Sequence, residues 1–93
     1  MTDFNEILDL TKDIVTTYKG KELILKDCFI YNGPVTMQLL PFGGVQTIYN
    51  HNLVIYTKNG FIGCRKVVYA GIEMDTKTFT KLFPSIVNEV FPN

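Results

Sequence analysis

Val45-Gln46-Thr47-Ile48-Tyr49, Leu53-Val54-Ile55-Tyr56-Thr57 and Phe61-Ile62-Gly63-Cys64-Arg65-Lys66-Val67-Val68-Tyr69 are three β-branched and aromatic runs, separated by Asn50-His51-Asn52 and Lys58-Asn59-Gly60. Short strand-forming runs bounded by turn residues read as successive antiparallel strands. Asn59-Gly60 is the strongest hairpin signal, because this dipeptide supplies the positive φ angles of a type I′ turn. Gly63 packs nothing and costs entropy inside a strand, so it predicts a bulge or a sharp bend that closes the sheet.

Upstream the same pattern continues. Ile14 to Tyr18, a tight turn at Lys19-Gly20, and Glu22 to Tyr31 read as a hairpin. Val35, Met37 and Leu39 alternate with Thr36 and Gln38, predicting a half-buried strand over 35–40 between the turns Asn32-Gly33-Pro34 and Pro41-Phe42-Gly43-Gly44. Six strands over 14–70 make a small mainly β barrel, closed or partly open.

Helices are expected at both ends. Thr2 or Asp3 caps a segment in which Glu6 stands three residues after Asp3, and Phe4, Ile7 and Leu8 recur at helical spacing. That predicts an N-terminal helix over 1–13; one running on to Gly20, or a frayed arm, also fits the pattern. After Asp75 or Thr76 the apolar residues Phe79, Leu82, Phe83, Ile86, Val87 and Val90 fall on one helical face, predicting an amphipathic C-terminal segment over 75–91 that Pro84 interrupts.

The bulk properties bound the rest. A chain of 93 residues with 46% hydrophobic and 19% charged residues builds one globular domain, 1–93, with a single core. No apolar run reaches the roughly 20 residues that span a bilayer, and Met1-Thr2-Asp3-Phe4 lacks a basic leader, so the expectation is a cytoplasmic protein off the membrane. Cys28 and Cys64 have no CxxC partner and no adjacent His, and are read as buried thiols rather than a disulfide or a metal site. Formal charge is zero. Its distribution is uneven: Asp3, Glu6, Asp9 and Asp13 face only Lys12 in the leading segment, whereas basic side chains outnumber acidic ones over 14–88. A modest basic surface admits an anionic partner.

Read in order, Lys19-Gly20-Lys21-Glu22-Leu23-Ile24-Leu25, Gly44-Val45 opening a strand, Leu53-Val54-Ile55 leading into Asn59-Gly60, and Ala70-Gly71-Ile72-Glu73-Met74 followed by Phe79 resemble the C-terminal domain of methionyl-tRNA formyltransferase and of related sugar-nucleotide formyltransferases. The similarity covers about 65 of the 93 residues. It implies an open six-stranded Greek-key barrel with some likeness to an OB-fold. It also implies a non-catalytic role in which the domain positions a substrate such as tRNA while formyl transfer belongs to a separate domain. That catalytic domain, with its Asn-His-Asp constellation, has no counterpart in this chain. Asp13-Ile14-Val15-Thr16-Thr17 replaces the family's Pro-Trp-Pro-Gly type of lead-in, and Ile72-Glu73 stands where many members carry a basic pair.

No enzyme motif emerges from the residues themselves. His51 lies between two asparagines in a turn, Glu73 and Asp75 flank a helix entrance, and neither Pro41-Phe42-Gly43-Gly44 nor Gly60-Phe61-Ile62-Gly63 has the frame of a phosphate or dinucleotide loop. The chain is therefore read as non-catalytic, with no cofactor and no metal. The functional candidates are cations beside aromatics, the types that bind phosphates and stack on bases. These are Lys19, Lys21, Lys58, Arg65, Lys66 and Tyr56, within a wider set of lysines and tyrosines; the same alternation also describes a solvated sheet face. Lys58, Arg65 and Lys66 are expected to gather on a hairpin tip and its returning strand. The partners considered are tRNA or other RNA, a separate catalytic subunit, or a second copy paired through the C-terminal helix.

Overall fold

Lys19 and Gly20 both adopt positive φ, 52° and 77°, the conformation that matches a two-residue turn to the twist of its strands. They join β1 (Ile14–Tyr18) to β2 (Lys21–Ile30), with Tyr18 opposite Lys21. Asn50 and His51 do the same between β3 (Val45–Tyr49) and β4 (Asn52–Thr57), and Ala70 and Gly71 between β5 (Gly60–Tyr69) and β6 (Ile72–Asp75). The computed structural model describes residues 2–35 and 38–92. Every strand pairing is antiparallel, and the six strands form one open sheet in the order β1-β2-β5-β4-β3, with β6 beside β5.

The β4–β5 hairpin differs from the type I′ expectation. Thr57 opposes Gly60, Lys58 and Asn59 form the turn without positive φ, and only Gly60 is left-handed, at 95°. The asparagine is used elsewhere. Its Oδ1 accepts from the Leu8 N–H at 2.6 Å and its Nδ2 donates to the Leu8 carbonyl at 3.2 Å, so Asn59 holds the N-terminal segment as a strand neighbour would.

That segment is not a helix. The carboxylates of Asp3 and Asp9 accept from the backbone N–H groups of Asn5 and Thr11 at 2.9 and 3.0 Å, local bonds that compete with helical ones. Phe4 is fully buried while Ile7 is 78% exposed, so the apolar spacing does not mark one buried face. Thr2 instead lies along β1, its N–H donating to the Val15 carbonyl at 2.7 Å and its hydroxyl accepting from the Val15 N–H at 3.1 Å.

The strand expected over 35–40 is also replaced. Thr36 and Met37 lie outside the described residues, and Val35 and residues 38–40 are irregular. The amide of Gln46, buried at a bulge in β3, takes the place of a strand partner: it accepts from the Leu40 N–H at 2.7 Å and donates to the Gln38 carbonyl at 3.0 Å. Ile72–Asp75 supplies the sixth strand.

Helix α1 covers only Thr76–Leu82. Asp75 caps it by accepting from the Thr78 N–H at 2.8 Å, and Pro84 lacks the N–H to continue it. Beyond, Ile86 and Phe91 still reach the core, but from turns and an extended run in which Val45 donates to Glu89, Asn88 donates to Val45 and Phe91 donates to Gly43. The C-terminal segment thus covers the outer edge of β3. Gly43 allows this approach: its φ is 95°, and a Cβ there would stand 2.7 Å from the Phe91 carbonyl. Among the described residues no helix is long and apolar enough to cross a membrane.

Inside the sheet, Tyr18, Tyr69, Phe79, Phe83 and Phe91 form one aromatic cluster with ring centroids 5.1 to 6.1 Å apart. Gly63 produces no bulge; it pairs in register with Phe29 on β2 and Val54 on β4. Its missing side chain makes room for the Phe29 ring, which a Cβ there would overlap. The break in regularity comes just beyond. On β5, Ile62 and Cys64 face the core, as do Val67 and Tyr69, while Arg65 and Lys66 are both exposed. Strict alternation forbids that set. Opposite, Asp27 has φ 56° and the β2–β5 ladder skips Asp27 and Arg65 while keeping its register. At the same point β5 exchanges its second partner, from β4 to β6.

Candidate functional site

The strand break opens a cavity of about 450 Å³. β2 brings Lys26, Asp27 and Cys28 to it, β5 brings Lys66, β6 brings Glu73, and the N-terminal segment brings residues 10–13. Lys26 stands opposite Lys66 in the ladder, and its ammonium bridges Asp13 at 3.9 Å and Glu73 at 3.7 Å. The carboxylates offset the repulsion between facing lysines, so the cavity holds both signs of charge. Such a lining can orient a polar ligand that carries both signs.

Cys28 and Cys64 face each other directly in the β2–β5 ladder. Cys64 is fully buried and Cys28, half-buried, reaches the cavity. The Cys64 thiol lies 3.0 Å from the Lys66 carbonyl and 3.3 Å from that of Lys26. Its hydrogen bond with Cys28, reinforced by burial, pushes the Cys64 thiol well above the usual thiol range. Among the described residues no group of three His, Cys, Asp or Glu side chains is placed to hold a metal ion.

The sequence-predicted cations occupy three separate places. Lys58 is in the β4–β5 turn, whereas Arg65 and Lys66 lie five and six residues past Gly60, about 17 to 20 Å along the strand. Lys19 and Lys21 belong to the opposite end, since Ala70, just past the far end of β5, donates to the Glu22 carbonyl. Hairpin pairing explains the separation: the returning strand leads away from its tip. Arg65 already has a partner, its guanidinium carbon 4.0 Å from the centroid of the Phe29 ring. Lys66 alone of these cations lines the cavity.

Tyr56 has the most informative surroundings of the candidates. Its ring stacks on Phe61, its partner across the ladder, at 5.0 Å and 29°, and Phe42 meets it edge-on at 5.1 Å. All three rings are half-buried, and the Lys58 turn follows two positions later. Tyr18 and Tyr69 are spent on the core, and Tyr31 is buried with its hydroxyl donating to the Pro34 carbonyl at 2.6 Å. His51 is exposed in its turn, its carbonyl accepting from the Thr76 hydroxyl.

The cavity and the Cys28–Cys64 opposition are not visible in local motifs, because the two cysteines meet only when β2 pairs with β5. The matching inward patterns of Leu23 and Leu25 with Val67 and Tyr69 are the signal that would have aligned them. No family model, curated protein or solved structure matches this chain.

Proposed function

We propose that this chain is a non-catalytic cytoplasmic module resembling the formyltransferase C-terminal domain, and that it positions an anionic, base-bearing ligand such as tRNA. The observation that carries the reading is the half-exposed stack of Tyr56 on Phe61, edged by Phe42 and followed by the Lys58 turn. Aromatic faces beside a cation suit bases and phosphates together. The spatial order β2-β5-β4-β3 supports the Greek-key, OB-like barrel, and the turn at Ala70-Gly71 leading through Met74 to α1 follows the order of motifs in that family.

Titration of labelled tRNA at low salt tests it. Binding with a dissociation constant on the order of 10 µM is expected, weakening as salt rises. Lys58→Ala lowers the salt slope by about one, and Tyr56→Leu weakens binding by about 1 to 3 kcal/mol. No complex at about 100 µM protein and low salt rejects the proposal. A second reading, self-association or docking on a separate catalytic subunit through the C-terminal segment, is favoured by Leu82 and Val90, 59% and 42% exposed. Concentration-independent monomeric light scattering rejects its self-association form.

A further inference from the structure

Tyr31 donates its N–H to the Phe61 carbonyl at 2.9 Å, continuing the β2–β5 register. That makes 31 and 61 a hydrogen-bonded pair. Pairs alternate along an antiparallel ladder, so Phe29 and Gly63 are bonded while Cys28 and Cys64 form a non-hydrogen-bonded pair, where Cα atoms stand about 4.5 Å apart and side chains are closest. This separation falls at the short end of the range that a disulfide spans, where the bond is strained and easily reduced. The two cysteines are direct partners across the ladder.

We propose that Cys28 and Cys64 are a reversible dithiol–disulfide pair, a redox modification site that closes across the strand break, with a hydroperoxide as oxidant. Access sets the order of events. Cys28 opens onto the polar cavity beside Lys26 and Lys66, whereas Cys64 is sealed in the core. The Cys28 sulfur attacks one peroxide oxygen, the O–O bond breaks, and water leaves a sulfenic acid. The Cys64 sulfur then attacks the Cys28 sulfur, the S–O bond breaks, and the departing oxygen takes the Cys64 proton to leave as a second water. Two thiols and one hydrogen peroxide become one disulfide and two waters, two electrons passing to the peroxide. A strained cross-strand bond returns to the dithiol in a reducing compartment, as regulatory disulfides do. Closing it ties β2 to β5 where the ladder skips Asp27 and Arg65, next to the cavity.

Treating the folded chain with one equivalent of hydrogen peroxide, then alkylating and weighing the intact protein, tests the pair. The expected product has lost two hydrogens, takes up no alkyl group, stays monomeric without reductant, keeps its far-ultraviolet sheet signal and regains both thiols with dithiothreitol. In Cys64→Ser, Cys28 instead gains oxygen or cross-links two chains, and in Cys28→Ser the buried Cys64 stays reduced. The proposal is overturned if the wild-type chain gains oxygen on Cys28 without losing two hydrogens. It is equally overturned if both thiols survive a dose that oxidises Cys28 in Cys64→Ser, or if oxidation abolishes the sheet signal.

Discussion

Two tyrosines packed against each other divide the polar work of the core unequally. The Tyr69 hydroxyl donates to the Tyr18 carbonyl at 3.0 Å, while the Tyr18 hydroxyl is buried with no hydrogen-bond partner among the described residues. A buried hydroxyl without a bond costs free energy that its ring does not need. Tyr18→Phe should therefore raise stability by about 1 kcal/mol and Tyr69→Phe lower it by about as much, read from urea unfolding. Burial, with smaller contributions from Glu89 and Tyr69, lifts the Tyr18 phenol above its ordinary value of 10.0. The folded state thus holds its proton longer: stability is intact below that pH and falls as pH rises through the higher folded value, a loss that Tyr18→Phe removes. Asp75 behaves in the opposite sense. The Thr78 backbone and hydroxyl hold its carboxylate below the ordinary 3.8, so its stabilisation is present above that pH and disappears as pH falls through the folded value. Asp75→Asn, which keeps an N-cap side chain, should leave neutral stability nearly unchanged and flatten the acid limb of a melting-temperature profile.

The turns were the most legible part of the sequence, because Lys19-Gly20, Asn50-His51 and Ala70-Gly71 combine residues that tolerate left-handed backbone with strand formers on both sides. The hairpins expected at the first two are present, whereas Ala70-Gly71 was expected only as a turn and joins β5 to a sixth strand that was not foreseen. Side chains that bond distant backbone were not legible: Asn59 looked like a turn residue and clamps Leu8, and Gln46 was read only as one member of a strand and holds residues 38–40. Local periodicity was misleading where Asx turns at Asp3 and Asp9 outcompeted helical bonds, and where Ile72–Asp75 joined β5 although its sequence reads as a lead-in to α1. At the candidate site, Tyr56 was legible as an aromatic near a cation, whereas the cavity depends on a strand break at Asp27 that no glycine announces. Asn59→Ala tests the clamp directly. It should cost about 1 to 2 kcal/mol and, in hydrogen exchange, unprotect the Leu8 amide while leaving the β4–β5 ladder protected.

At the scale of the molecule, both chain ends cover sheet edges, Thr2 along β1 and residues 88–91 along β3. Paired edges present fewer open backbone groups to another chain. The ends also meet: Thr2 bonds Val15, and the next residue, Thr16, donates its hydroxyl to the Pro92 carbonyl at 3.4 Å. Residues that attach to consecutive positions of one strand lie on the order of 10 Å apart. A circular permutant that joins the ends through a short glycine-serine bridge and opens the chain at the exposed Asn32-Gly33 should fold, with a cooperative melt and the same far-ultraviolet signal as the parent. A passenger polypeptide fused to either end would be tethered at a single corner of the sheet, so exchanging the fusion order would leave its reach over the Tyr56 face almost unchanged.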